Sequence, residues 1–297
     1  MLDFRPIGYV IGLLVATLGF TMLAPLASDL YAQNGHWTVF LEASIVTMLT
    51  GGLIALACSN GVEAGLSLRQ TFLLTSLVWL TLPLFGAIPF VIGATNANFT
   101  DAFFEAMSGL TTTGATVFSG LEALPDGIKL WRGMLQWLGG VGIIVVAMVF
   151  LPELRVGGMQ IFRTEGFETS GKILPRAGEI ASQISVIYVA LTITCALVYS
   201  AFGMGNFDAM VHAMTTVSTG GMANSDASFG YYGEAVHYSA SIFMILAALP
   251  FVRYVQLVAG TAEPILKDTQ IHTFLMIIFL SPWIVHSDQP GWLAYPR

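Results

Sequence analysis

Charged side chains are scarce in this sequence. Asp, Glu, Lys and Arg make up 10% of its 297 residues, whereas a soluble domain carries about a quarter. Hydrophobic residues make up 55%, and the mean hydropathy is +0.75. A single water-facing globule cannot bury so much apolar surface. The composition therefore excludes an ordinary soluble protein and predicts an integral membrane protein in contact with lipid.

Cysteine, positive charge and metal-ligand spacings are also in short supply. The two cysteines, Cys58 and Cys195, both lie in apolar runs, so we interpret them as small packing residues rather than a disulfide framework. The net charge of −7 argues against nucleic acid as a partner. His36 and His237 show no spacing typical of a metal site.

Long apolar segments dominate what is present. A bilayer core takes about 20 apolar residues per helix, and seven segments are long enough. They lie near residues 7–30, 38–58, 70–92, 129–151, 181–203, 236–258 and 269–286.

Basic residues predict the orientation of these spans, because Lys and Arg concentrate in cytoplasmic loops. If the spans alternate, segment 152–180 and the N-terminus are cytoplasmic, whereas segments 93–127 and 204–234, which contain no Lys or Arg, face outward. Lys129 and Arg132 depart from this pattern, and we expect their long side chains to snorkel at the outer end of the fourth span.

The two outward segments contain an internal repeat at an offset of 107 residues. Residues 101–116 and 208–223 each read as a short amphipathic helix followed by a turn rich in hydroxyls and glycine. Six identities occur without a gap: Asp101/Asp208, Ala102/Ala209, Ala106/Ala213, Met107/Met214, Thr112/Thr219 and Gly114/Gly221. Since two crossings separate the copies, both have the same orientation, which predicts parallel helix–loop–helix units with re-entrant loops.

The turns of the repeat have the residue types of a cation filter. Irregular backbone at membrane depth must be buried in protein or line a watery path, and a ring of carbonyls can replace the water shell of an alkali cation. We therefore predict a filter for an alkali cation built by eight residues: Thr111, Thr112, Thr113, Gly114, Ser218, Thr219, Gly220 and Gly221.

Plainer interpretations exist for each candidate residue. The turns could be ordinary Ser/Thr/Gly turns in external loops. Glu105 and its counterpart His212 could bind a cation or only anchor their helices by hydrogen bonds. Asp101 and Asp208 are explained as helix N-caps. Gly139 and Gly140 indicate close helix packing rather than a nucleotide fingerprint.

The chain resembles the TrkH-type potassium uptake proteins of bacteria, part of the Trk/Ktr/HKT superfamily. The resemblance is most specific over residues 98–165 and covers about 1–285. It is carried by the run 101–116, by Leu121–Pro125, Leu135–Val145, Leu151-Pro152, Val156–Gln160 and Arg163–Glu165, and by Ser218–Gly221 with Ser225–Tyr231.

The resemblance implies a pore of four successive helix–loop–helix units, each contributing one filter strand. It places the innermost carbonyls at Thr112, Thr113, Thr219 and Gly220. It also implies K⁺ as the transported ion without an organic cofactor, a homodimer, and a TrkA-like cytosolic regulatory subunit that binds nucleotides. The implied location is the bacterial inner membrane, surrounded by lipid, with a cytoplasmic N-terminus.

The sequence therefore predicts an all-α integral membrane protein with about seven transmembrane helices and two re-entrant pore loops. The predicted parts are a two-helix extra domain (1–66), two complete units (67–165 and 166–262) and an incomplete third unit (263–297). We expect a truncated or frameshifted product, because family members are longer. The predicted function is K⁺ transport, not enzymatic catalysis, and H⁺ or Na⁺ coupling stays open. The alternatives are a non-conducting fragment or regulatory relative, and a secondary solute carrier.

Overall fold

The computed structural model describes residues 3–60, 67–154 and 173–287, and within these ranges every regular element is a helix. The all-α prediction is therefore confirmed. The α-helices are α1 (Arg5–Thr21), α2 (Leu23–Ala32), α3 (Trp37–Cys58), α4 (Leu68–Gly86), α5 (Ile88–Ile92), α6 (Phe99–Leu110), α7 (Asp126–Leu154), α8 (Ile173–Ala201), α9 (Asn206–Val217), α10 (Glu234–Ala248), α11 (Phe251–Val258), α12 (Glu263–Leu266) and α13 (Thr269–Ser287).

Several predicted features lie outside the described residues. Most of the basic loop 152–180 is among them, as are Val156–Gln160 and Arg163–Glu165 of the resemblance and the C-terminal residues 290–297.

Four stretches of the described chain are long and apolar enough to cross a membrane: Arg5–Ala32, Trp37–Cys58, Arg69–Ile92 and Ala181–Ala201. A fifth is present if α10 and α11 form one broken span. The count of seven spans stays a prediction.

Two of the predicted spans, the first and the third, are each interrupted at a single residue. The first is interrupted at Met22, between α1 and α2, and Pro25 follows three residues later. The third is interrupted at Ala87, and Pro89 lies in the first turn of α5. Proline supplies no amide and clashes with the preceding turn, so both helices restart near a proline.

The chain forms two compact units, a first unit, Met1–Ala248, and a second unit that begins at Leu249. The second unit contains α11, α12 and α13. Within it, Arg253 Nε donates to Asp268 Oδ2 at 2.7 Å and joins α11 to the residue preceding α13. The predicted domain boundaries at 66, 165 and 262 stay predictions.

Helices α1 and α3 pack backbone against backbone through small residues. A Cβ at Gly12 would come 2.5 Å from Ala55 N, which is closer than real Cβ atoms approach. Ser44 Oγ donates to Gly19 O at 2.8 Å across the same seam. Small residues at such seams allow membrane helices to approach closely.

A buried polar cluster joins α2, and the segment between α2 and α3, to α7. Asp29 is completely buried, and its carboxylate accepts from Gly127 N (2.7 Å) and Asn34 Nδ2 (2.7 Å). Asp29 also lies 2.9 Å from His36 Nδ1, while His36 Nε2 accepts from Ala94 N (3.1 Å). A carboxylate at the start of a helix is favourable because helix N-termini carry partial positive charge.

Helix α7 contributes several buried residues to an apolar cluster of the first unit. Trp131 on α7 is fully buried, contacts Phe40 of α3 edge-to-face and donates from Nε1 to Gly86 O at 2.9 Å. Leu135, one turn further on, packs in the same cluster with Ala106 of α6. The position of α7 is therefore set by contacts with the N-terminal helices and with α6.

The packing of α1 on α3 can be tested with an introduced cysteine. A Cβ at Gly8 would lie 3.5 Å from Cys58 Cβ, within the Cβ–Cβ range of disulfides. We expect Gly8→Cys to form an intramolecular disulfide with Cys58 under mild oxidation, detected by intact mass and loss of maleimide labelling.

The matched control is Gly52→Cys, since a Cβ at Gly52 on α3 meets nothing within 4 Å. This variant should keep all its thiols free within the monomer. A Gly8→Cys variant that stays fully labelled after oxidation contradicts the described packing.

Candidate functional site

The internal repeat is present in the backbone of the two turns that follow α6 and α9. Thr112 and Thr219 have φ of 55° and 56°, and Gly114 and Gly221 have φ of 78° and 73°. The intervening residues are not left-handed. Non-glycine residues rarely adopt positive φ, so its recurrence at the same positions of both copies shows that the repeat predicted from the sequence is a repeat of conformation.

Hydrogen bonds of these turns also recur at an offset of 107 residues. Three amides of each turn donate to carbonyls in the last turns of the preceding helix. The matching bonds are Thr111 N–Met107 O and Ser218 N–Met214 O (2.9 and 3.1 Å), Thr112 N–Gly109 O and Thr219 N–Thr216 O (2.9 and 2.9 Å), and Thr113 N–Ser108 O and Gly220 N–Thr215 O (3.0 and 2.9 Å).

These bonds determine the direction of the turn carbonyls. In a trans peptide, N–H and C=O point in opposite directions. Because the amides point back to the helix ends, the carbonyls of Thr111, Thr112, Ser218 and Thr219 are directed away from them. The backbone therefore offers a series of oxygens on the side of each turn opposite its helix.

The two turns touch one another. A Cβ added to Gly114 would overlap the carbonyl oxygen of Gly220, so these two backbones are in direct contact. Ser218 is buried, Thr113 and Thr219 are exposed, and the other five residues of the predicted filter are half-buried. All eight residues thus lie in two adjoining turns.

A cavity of about 320 Å³ lies against both turns. Gly114 and Gly221 line it, together with the charged side chains of Arg132 and Asp226. It is large enough for several waters, since each occupies about 30 Å³ in the liquid. The contact between the turns therefore borders a space that can hold water and ions.

Each copy is held by a side chain from its own short helix. Glu105 Oε2 accepts from Val117 N at 3.1 Å, and His212 Nε2 accepts from Asn224 N at 3.4 Å. The pairs have the same spacing and are again 107 residues apart. His212 Nδ1 lies 2.8 Å from Asp208 O, which can only accept, so Nδ1 carries the proton. Both residues anchor the segment after the turn, the plainer of the two interpretations considered above.

Arg132 on α7 links the two copies. Its Nε pairs with Glu105 Oε1 (2.8 Å), Nη2 donates to Thr116 Oγ1 (3.2 Å) and Nη1 donates to Ala223 O (2.7 Å). The side chain is 1% exposed. The snorkelling prediction for Arg132 is therefore wrong: the residue is buried because a buried carboxylate and two further oxygens compensate its charge.

The N-cap predictions for Asp101 and Asp208 are also wrong. Asn98 is the N-cap of α6 and accepts from Asp101 N at 2.9 Å. Gly205 is the N-cap of α9, whereas Asp208 accepts from Asn224 Nδ2 at 2.8 Å. Both aspartates lie in the first turn, where negative charge is favourable. The sequence pattern that identifies Asn98 as the N-cap is a capping residue followed three positions later by an acid, Asp101, whose side chain can bond back to it.

The segments after the turns hold each other through two exposed carboxylates. Asp226 accepts from Gly120 N (2.7 Å) and Leu121 N (3.0 Å). Glu122 accepts from Ser225 Oγ (2.6 Å) and Asp226 N (2.9 Å). The Ser225 hydroxyl lowers the pKa of Glu122, and the amides of Leu121 and Gly120 lower the pKa of Asp226. We call this reciprocal arrangement of Gly120–Glu122 with Ser225-Asp226 the outer clasp.

Glycines on α7 allow that helix to approach both turns. A Cβ at Gly139 would overlap Leu110 O, and a Cβ at Gly140 would come 3.0 Å from Ser218 Cβ. The interpretation of Gly139 and Gly140 as close-packing residues agrees with this geometry. Helix α7 therefore lies close to the last residue of α6 and to Ser218, the first residue of the second turn.

Comparison with known proteins identifies similar chains. Residues 36–277 match the family described as "TrkH: Cation transport protein". The chain is 40% identical over 296 residues to the Trk system potassium uptake protein TrkI of Halomonas elongata, covering 97% of this chain and 60% of the relative. It is 38% identical over 284 residues to TrkH of Escherichia coli K12, covering 94% of this chain and 58% of the relative.

A solved structure also matches. The crystal structure of the potassium transporter TrkH from Vibrio parahaemolyticus superposes with a TM-score of 0.84 at 36% identity, covering 94% of this chain and 57% of that one. The chain thus spans no more than 60% of the length of these relatives.

Substitution of the turn glycines should destabilise the protein unequally. Left-handed backbone costs a residue with a Cβ about 1–2 kcal/mol. Gly221→Ala should lose about this much, because its Cβ meets only Met244 Cε at 3.7 Å. Gly114→Ala should lose clearly more, since its Cβ also overlaps Gly220 O. Thermal unfolding in detergent measures which of the two variants loses more stability.

Gly120→Ala is the control for backbone strain alone, since Gly120 has φ of 68° and its Cβ would meet nothing within 4 Å. It should behave like Gly221→Ala. Equal losses for Gly114→Ala and Gly120→Ala contradict the contact between the two turns.

Acid should open the outer clasp. A carboxyl whose pKa is lowered by folding contributes its full stability above its ordinary pKa of about 4, and loses it as pH falls through the folded pKa. Glu122 and Asp226 both behave in this way. We expect the amides of Gly120, Leu121 and Asp226 to lose hydrogen-exchange protection together in that acidic range, after correction for intrinsic rates.

The amides of Thr113 and Gly220 donate to backbone carbonyls and serve as internal controls. Their protection should persist where that of the clasp amides is lost. Clasp amides that remain protected after both carboxyls are protonated contradict the arrangement.

Proposed function

The chain belongs to the TrkH family of cation transport proteins, a family of multi-pass membrane transporters rather than enzymes, and from this premise we propose that it forms part of the pore of a K⁺ uptake system. In this proposal, main-chain oxygens of Thr111–Gly114 and Ser218–Gly221 replace the hydration shell of K⁺. Transport consists of dehydration, coordination and passage down the electrochemical gradient.

The contact between the two turns is the observation that carries this proposal. Each turn has its amides tied back to a helix end, and Gly114 meets Gly220. Two series of carbonyls are thereby brought side by side next to a cavity large enough for several waters. Ordinary external turns need neither the repeated left-handed residues nor the direct contact. A pair of adjoining filter strands accounts for both.

Electrostatics favours a cation at this place. Helices α6 and α9 both end where the turns begin, and the C-terminus of a helix carries about half a negative elementary charge. Segments 93–127 and 204–234 contain no Lys or Arg. Arg132, which lines the cavity, is neutralised by Glu105. A cation at the turns therefore meets negative potential without a free positive charge opposing it.

The membrane potential supplies the driving force in this proposal. One elementary charge moving through 100 mV gains about 2.3 kcal/mol. The proposed orientation has a cytoplasmic N-terminus in the bacterial inner membrane, following the distribution of Lys and Arg. Cations then enter at the outer clasp, and the inside-negative potential draws them inward.

The relatives named above are parts of a "Trk system", so we propose that this chain works as a membrane subunit of a larger assembly. A homodimer and a cytosolic subunit that binds nucleotides are the proposed partners. The proposed parts follow the predicted boundaries: 1–66 as an extra domain, 67–165 and 166–262 as pore units, and 263–297 as the start of a third.

Cells without their own K⁺ uptake systems provide the test. The chain should restore growth at low external K⁺ and accumulate ⁸⁶Rb⁺. Gly114→Ala should reduce the rate at least tenfold, because the added Cβ displaces the Gly220 carbonyl. Gly35→Ala is the control, since Gly35 has φ of 72° but its Cβ would meet nothing within 4 Å.

A chain that reaches the membrane without restoring uptake, while a longer version restores it, identifies a non-conducting fragment. Solute transport that is independent of K⁺ and insensitive to Gly114→Ala identifies a carrier. Either result rejects conduction by this chain.

A further inference from the structure

Gln136 on α7 is a buried side chain with one amide atom bonded and the other free. Its Oε1 accepts from Met222 N at 3.1 Å, directly after the second turn. Its Nε2 has no hydrogen-bond partner among the described residues, although the side chain is completely buried. Buried donors are nearly always paired in proteins, so this amide needs an explanation.

The amide of Gln136 lies against both turns. A Cβ at Gly220 would overlap Gln136 Nε2 and would come 2.5 Å from its Cδ and 2.7 Å from its Oε1, and a Cβ at Gly114 would come 3.6 Å from Nε2. Gly114 and Gly220 are also the residues through which the turns touch. Gln136 therefore packs behind the contact of the two turns and touches each of them.

The orientation of the amide is determined by its neighbour. Turning it over would point Nε2 at Met222 N–H, so that two donors would face each other. Oε1 therefore stays on Met222, and Nε2 stays against Gly220 and within reach of Gly114. Hydrogen bonding does not explain a glutamine at this position, because only one of its two amide atoms has a partner among the described residues. Apolar packing does not explain it either. An unbranched apolar side chain such as methionine would fill similar space without a free donor.

Residues one helical turn before and after Gln136 on α7 also contact the segments around the two filter turns. Arg132, one turn earlier, bonds Ala223 O and the Glu105 carboxylate, while Gly140, one turn later, approaches Ser218. Gln136 lies between them on the same helical face, at the level where the turns meet. From this position, one side chain touches both turns.

We infer that Gln136 is a positioning residue that sets the separation of the two filter turns and thereby the preference of the site for K⁺ over smaller cations. The inference rests on the proposed function. Gln136 acts through Gly220 and Met222 and does not itself coordinate the ion. A fixed separation matters because carbonyls that could close in would coordinate Na⁺ as well as K⁺.

The test compares cation binding by three purified proteins in detergent: the unaltered chain, Gln136→Met and Gln136→Glu. Isothermal titration with K⁺ and with Na⁺, in a buffer whose only other cation is N-methylglucamine, gives the ratio of affinities. The unaltered chain should prefer K⁺. Gln136→Met should lose at least tenfold of this ratio, because the bond to Met222 N is absent and a flexible thioether faces Gly220.

Gln136→Glu should keep the preference for K⁺, since a carboxyl of the same size retains an acceptor for Met222 N. Gln70→Met is the matched control: Gln70 is another buried glutamine, which caps the start of α4 and donates to Asp3 O. That variant should lower the unfolding temperature without changing the ratio of affinities.

The inference is overturned if folded Gln136→Met keeps the ratio of the unaltered chain, or if Gln136→Glu loses it to the same extent as Gln136→Met. If Gln136→Met does not fold, Gln136→Glu and Gln136→Asn provide the test. Gln136→Glu, which keeps the length of the side chain, should keep the preference for K⁺, and the shorter Gln136→Asn should lose it. Absence of selective K⁺ binding by the unaltered chain rejects the proposed site itself. Selective binding with unchanged ratios in the variants rejects only the role of Gln136.

Discussion

Backbone polar groups that lie among membrane helices must find partners within the protein, and this constraint organises the candidate site. In each turn, three amides are satisfied by the carbonyls that a helix end would otherwise leave unpaired. The same bonds direct the next carbonyls away from the helix. A single arrangement thus satisfies the donors of the turn and the acceptors of the helix, and directs the turn carbonyls to the side where we propose that a cation binds.

Helix α7 converts two separate turns into one site. Its face carries Arg132, Gln136 and Gly140 at successive turns, and these contact residues from both copies of the repeat. The position of α7 depends in turn on Trp131 in the apolar cluster and on the buried carboxylate of Asp29 at the helix start. The geometry of the turns is therefore coupled, through one helix, to the packing of the N-terminal helix pair.

Local features were accessible from the sequence, whereas contacts between distant segments were not. The identities Thr112/Thr219 and Gly114/Gly221 predicted two turns of one kind, and both pairs have matching positive φ. The partners of Arg132 could not be predicted in this way, because Ala223 is 91 residues away and no local pattern connects them. Rules for side chains at membrane edges treat each residue alone. They therefore predicted that this arginine reaches the membrane–water interface. In the structure it instead bonds to a buried carboxylate and to a backbone carbonyl.

The two copies of the repeat have the same geometry but different side chains at one position. Position 105 and its counterpart 212 must each present an acceptor to an amide twelve residues later, and a carboxylate and an imidazole both do so. The carboxylate brings a buried charge that requires a cation, and Arg132 supplies it. The neutral imidazole requires only a second acceptor for its remaining proton, which Asp208 O supplies. Arg132, which compensates the Glu105 carboxylate of the first copy, also donates to Ala223 O beyond the second turn. The same side chain therefore joins the two copies. The asymmetry between Glu105 and His212 is thus what ties the repeat into a single structure.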